Sequence, residues 1–100
     1  MKVKAKHKDG VTYVRLLAKH PMESGRRKNQ RTQQLIPARF IQELRCFYQG
    51  RLVFFAEMGP GIAEDPYMSF SFKGGNKGDA VNLRWNDNTG DSQITEEVIR

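Results

Sequence analysis

A single cysteine, Cys46, stands among the 100 residues, so the chain forms no internal disulfide. With only His7 and His20 beside it, a closed Cys/His zinc site is excluded as well. Long apolar runs are also missing. The longest is Leu52-Val53-Phe54-Phe55-Ala56, far short of the about 20 residues of a membrane-spanning helix or the roughly 7–15 of a signal-peptide core. The expectation is a chain that neither crosses a membrane nor carries its own secretion signal. Acidic residues are scarce too: 11 Asp and Glu face 17 Lys and Arg, a net charge of +6. That balance favours nucleic acid, acidic proteins or small oxyanions as partners without choosing among them. At this length a single domain over residues 1–100, with one thin core, is expected, and no cleft between domains.

No stretch sustains a 3.6-residue apolar period, which predicts almost no helix, whereas period-two alternation recurs along the chain. Lys2, Lys4, Lys6 and Lys8 alternate with Val3, Ala5 and His7, the pattern of an extended segment with its ammonium groups on one face. That stripe fits either a lysine-guarded edge strand or an anion-binding surface. Asp9-Gly10 turns the chain into a second strand, Val11 to Ala18, which His20-Pro21 stops. From Glu23 to Gln34 there is no apolar residue, and Arg26, Arg27, Lys28 and Arg31 make this a long, solvated, basic excursion. Phe40 to Tyr48 and Arg51 to Met58 form a hairpin about Gln49-Gly50, with Phe40, Leu44 and Cys46 expected inside and Ile41 outside. The second of these segments is apolar on both faces, Val53 and Phe55 forming a surplus that needs cover from a partner or from the chain's own loops. Strands at Tyr67 to Phe72, Ala80 to Trp85 and Gln93 to Ile99 complete seven. The fold class expected is an all-β, immunoglobulin-like β-sandwich without the disulfide.

The chemistry on offer is thin. A nucleophilic cysteine needs a base within hydrogen-bond reach, and Cys46 alternates with Phe40 and Leu44, where apolar surroundings make a thiol inert. His20, directly before a proline, fits a turn residue better than a catalytic base. Gly74-Gly75-Asn76-Lys77-Gly78 lacks the spacing of a phosphate-cradling loop, and a calcium loop ending at Glu96 would open on Trp85, which has no ligating oxygen. Basic residues and rings could serve a nucleic-acid-binding β-domain, but most rings fall on inward faces and the arginines cluster on a loop without aromatics.

The stretch His20-Pro21-Met22-Glu23-Ser24-Gly25 with Arg27-Lys28, then Ile36-Pro37, Cys46 four residues before Gly50, Val53-Phe54, Ile62-Ala63, Pro66-Tyr67 with Phe70, and Trp85 with Asp87 and Gly90, resembles the SoxZ family. Ser24 replaces a usual Thr, Gln49 a frequent Asn, and the loop after Lys28 is slightly longer. The resemblance implies a non-enzymatic, cofactor-free subunit that forms a heterodimer with SoxY, on whose mobile cysteine the sulfur intermediate travels. It further implies export to the periplasm together with SoxY and transient docking of other Sox enzymes, and it leaves open whether the chain forms a homodimer when isolated from SoxY. On that basis Val53 and Phe55 are expected to meet SoxY, and His20, Met22, Arg26, Arg27, Lys28 and Arg31 to shape a docking loop.

Overall fold

The computed structural model describes residues 1–100. Seven strands follow in order: β1 Lys2–Lys8, β2 Val11–Leu17, β3 Ile41–Tyr48, β4 Arg51–Glu57, β5 Tyr67–Lys73, β6 Ala80–Asp87 and β7 Ser92–Val98. They make a three-stranded sheet ordered β1-β2-β5 and a four-stranded sheet ordered β4-β3-β6-β7, all pairs antiparallel. The result is an all-β, immunoglobulin-like sandwich with no disulfide. No helix is long and apolar enough to cross a membrane.

Alternation decides what lies between the sheets. Val3 and Ala5 of β1 and Val14 and Leu16 of β2 meet Leu44 and Cys46 of β3 and Val81, Leu83 and Trp85 of β6. Each fully buried Val or Leu contributes roughly 1.5–3 kcal/mol relative to exposure, so these layers dominate the stability. Phe54 and Phe70 stack with centroids 4.0 Å apart and close the gap between β4 and β5. Both hairpin turns, Asp9-Gly10 (φ 53° and 80°) and Gln49-Gly50 (φ 49° and 76°), place two residues at positive φ, as a two-residue turn matched to strand twist requires.

Two register shifts correct the faces expected for β3 and β4. Ile41 pairs with Asp87 and Glu43 with Asn86, so Gln42 is an extra residue; Ile41 turns into the core and Phe40 is only half-buried. Cys46 pairs with Phe54 and Phe47 with Leu52, which makes Val53 the extra residue of β4. Val53 therefore packs against the core instead of facing out with Phe55, and Leu52 takes the outward place.

Edge protection is shared between side chains and backbone. β1 is an edge strand, as its lysines suggest, but Ala5 forms a parallel bridge with Ile99, and His7 N–H donates to the Arg100 carbonyl at 2.7 Å. Residues 23–39 depart further from expectation. The basic excursion is a two-stranded ribbon: Glu23 and Arg39 exchange backbone bonds of 2.6 and 2.9 Å, Ile36 N–H donates to the Arg27 carbonyl at 2.8 Å, and Asn29 N–H donates to the Gln34 carbonyl at 2.8 Å. The molecule measures 53 × 19 × 17 Å. Strands of seven or eight residues span only about 26 Å, so this arm accounts for most of the remaining length.

Candidate functional site

Three connections gather at one end of the sandwich: the arm between β2 and β3, residues 58–66 between β4 and β5, and residues 88–91 between β6 and β7. Backbone and side chains tie them together. Ala18 N–H donates to the Pro66 carbonyl at 2.9 Å, His20 N–H to Asp65 Oδ1 at 2.9 Å, and Asp65 N–H to the His20 carbonyl at 3.0 Å. Asn88 receives Phe40 N–H on Oδ1 at 2.8 Å and donates from Nδ2 to the Ala38 carbonyl at 2.9 Å, fastening the far leg of the arm.

Beneath the arm lies a buried hydrogen-bond network centred on Asp87. Met22 N–H donates to His20 Nδ1 at 3.1 Å, which leaves the ring proton on Nε2, and Nε2–H donates to Asp87 Oδ2 at 2.9 Å. The imidazole meets Trp85 edge-on at 5.1 Å. Asp87 also accepts from the Thr89 hydroxyl at 2.7 Å and from the Thr89 and Asp91 N–H groups at 2.9 and 3.0 Å. Burial alone would raise this carboxyl's pKa. The hydrogen bonds from His20, Thr89 and Asp91 outweigh it and hold the group well below the usual carboxylate range. Arg39 adds Nε at 3.4 Å from Asp87 Oδ2 and spans to Asp91 at 2.9 Å.

This arrangement places two of the expected docking-loop residues beneath the arm. His20 and Met22 are 2% and 6% exposed, and both anchor the arm from below. Met22 holds φ 50° and accepts Ile41 N–H on its sulfur at 3.3 Å, so the His-Pro-Met stretch pins the base of the arm. Both His20 nitrogens are engaged, which leaves the ring no free lone pair for a substrate proton. Arg26, Arg27, Lys28 and Arg31 are exposed along the arm. Arg27 pairs with Glu23, lowering the carboxyl's pKa through that hydrogen bond, while Arg26, Lys28 and Arg31 make no ion pair.

A second surface covers the outside of the four-stranded sheet. Phe55 and Leu52 are 42% and 48% exposed, and across the sheet Ile94 and Val98 of β7 are exposed as well. Arg45 lies over the Phe55 ring at 4.8 Å and Arg84 over Phe47 at 5.0 Å, two guanidinium-ring stacks spread over three strands. Cys46 faces the opposite way. It is fully buried, and burial pushes its thiol up to about 12, the inert state expected from its neighbours.

Arg39, Asp65 and Asn88 are organising residues of this end that sequence reasoning passed over, and Asp87 was read only as a motif residue without its buried role. Asp87 and Asn88 carried a signal, an Asp-Asn-x-Gly turn, but their partners lie 48 to 67 residues away.

The molecule is thus an immunoglobulin-like sandwich with one end organised by a buried His-Asp pair and with exposed apolar side chains on the outer face of its four-stranded sheet. Sulphur oxidation protein SoxZ is the family that matches it, over residues 1–98, and the chain belongs to the SoxZ family. It therefore has a role in the Sox system of sulfur oxidation, in a family of accessory subunits and not one known for catalysis. Comparison with curated proteins found no match. Most motifs that carry the resemblance collect at the arm end, namely His20 to Gly25, Ile36-Pro37, Ile62-Ala63, Pro66, Trp85, Asp87 and Gly90, while Cys46, Gly50, Val53-Phe54 and Phe70 lie elsewhere in the sandwich.

Proposed function

We propose that this chain is the non-catalytic subunit of a periplasmic SoxYZ carrier, which holds SoxY in shape while SoxY bears the sulfur covalently. The observation that carries this reading is the open face of the four-stranded sheet, where Leu52, Phe55, Ile94 and Val98 are all more than 40% exposed. Exposed apolar side chains set beside Arg-aromatic stacks match the aromatic and Arg enrichment of protein interfaces. SoxY covers this face, Phe55 being the anchor. Val53 supports the bulge beneath it. The sealed thiol of Cys46 supports a division in which sulfur chemistry belongs to the partner. Arg26, Arg27, Lys28 and Arg31 on the arm receive the Sox enzymes that load and unload the carrier, His20 and Met22 holding the arm in place.

Co-purification with SoxY tests the pairing. Phe55→Ala is expected to weaken it about 30-fold, the roughly 2 kcal/mol of an interface hot spot, with the fold intact. Intact-mass measurement after thiosulfate turnover is expected to find sulfur adducts on SoxY. Adducts on Cys46, or undiminished pairing by Phe55→Ala, would overturn the reading.

A further inference from the structure

The three-stranded sheet presents another surface, used neither by the arm nor by the open face of the other sheet. Its outward side chains include Lys2, Lys4, Lys6 and Lys8 of β1, Arg15 of β2 and Lys73 of β5, all exposed. The three strands contain no Asp or Glu, and none of these six cations joins an ion pair. Carboxylates stand only around its rim: Asp9 in the β1-β2 turn, Asp65 beside Lys2, and Glu97, which lines the groove along β1 with Lys4, Lys6, Arg15 and Arg100.

Guarding an edge does not account for this pattern. Register sets Lys4 directly opposite Arg15, a like-charge pair that costs stability. Arg15 lies on the central strand, which has no free edge, and the β1 edge at Ala5 to His7 is already capped by Ile99 and Arg100. A complementary anionic surface would convert the repulsion into attraction. The face is also dished, a concavity of about 450 Å³ over Lys4, Lys6, Tyr13, Arg15, Ser69 and Ser71. Tyr13 and Tyr67 stand 51% and 62% exposed within it and at its margin, rigid amphipathic side chains of the kind enriched at protein interfaces.

We propose that the outward face of β1-β2-β5 docks an acidic protein surface, with Tyr13 and Tyr67 as anchors among the lysines. The inference rests on the docking-subunit reading above and adds to it a separate face and a partner of stated charge. A single nucleic-acid strand fits less well. Tyr13 pairs with Ser71 and Tyr67 with Leu17, four residues along the strands, so about 13 Å separates the rings and they form no platform for successive bases. The cations also spread over three strands instead of following one line.

The test uses the full chain with poly-L-glutamate as the probe, followed by amide NMR shifts, with oligothymidylate and inorganic sulfate in parallel. Poly-L-glutamate is expected to move signals of β1, β2 and β5 first and to lose its effect at about 1 M salt, where the Debye length is about 3 Å. The variant Lys4→Glu/Lys6→Glu/Arg15→Glu is expected to lose affinity about tenfold, about 1.4 kcal/mol, while Arg26→Glu/Lys28→Glu/Arg31→Glu stays within about twofold. Lys4→Gln/Lys6→Gln, a milder change, guards against misfolding and should show an intermediate loss. Shifts centred on the arm, tighter binding of oligothymidylate at equal charge, or saturation by sulfate alone would each overturn the proposal. SoxY pairing retained by the triple Glu variant supports a separate surface, and pairing lost would overturn that separateness even if the Phe55 interface stands.

Discussion

Asp87 shows how much one carboxylate settles. It receives His20 and Arg39 from the two legs of the arm and Thr89 and Asp91 from the turn after β6. Asp87→Asn keeps the shape but removes the charge that this set of donors requires. Its expected cost is about 2–4 kcal/mol in urea unfolding, with the arm loosened and the strands intact. Because folding lowers the carboxyl's pKa, the ionised form favours the folded chain at every pH above about 4. That stability drains as pH falls toward the folded value, and the acid limb of the unfolding profile should flatten in the Asn variant. Cys46 behaves with the opposite sign. Its thiol ionises above about 8.5 when unfolded but only near about 12 when folded, so stability declines with rising pH across that window. Iodoacetamide should label it only after unfolding. Gly75, at φ 80°, has room for no side chain: a Cβ would stand 2.2 Å from Thr12 Oγ1, which is fully buried. Gly75→Ala is expected to cost about 2–4 kcal/mol, against about 1–2 for Gly10→Ala, which has the same φ but open space around it.

At the scale of elements, all seven strands were legible because period-two alternation survives at Lys2 to Lys8, Tyr67 to Phe72 and Ala80 to Trp85. The bulges were not. An extra residue at Gln42 or Val53 leaves no compositional trace, yet it exchanges Phe40 for Ile41 in the core and Val53 for Leu52 on the surface. The arm was legible as basic and exposed but not as a ribbon, since its pairing runs through backbone groups of polar residues whose side chains carry no alternation. Of the arm-end site, the sequence exposed the motifs and hid the contacts: His20 and Asp87 meet across 67 residues. The arm's free cations touch nothing on the sandwich, so Arg26→Glu/Lys28→Glu/Arg31→Glu should shift unfolding by less than about 0.5 kcal/mol per site. Limited trypsin digestion should cut first between Arg26 and Arg31, ahead of every strand.

The whole molecule is long and unevenly charged. A radius of gyration of 15.8 Å exceeds the about 13 Å of a compact 100-residue domain, and small-angle scattering should return an elongated particle. The strands of the three-stranded sheet carry cations alone, while those of the other sheet hold Arg45, Arg51 and Arg84 against Glu43, Glu57, Asp87, Glu96 and Glu97. Crowding of like charge on the first sheet implies that Lys4→Gln raises stability by roughly 0.2–1 kcal/mol at low salt, a gain that thermal unfolding should see vanish as salt rises.

With the two layers about 10 Å apart, this segregation makes the sandwich a permanent electric dipole directed across its thickness. In the field of a negatively charged body such a particle is turned before it is touched. The lysine side leads into each collision, and fewer encounters are wasted on the wrong orientation.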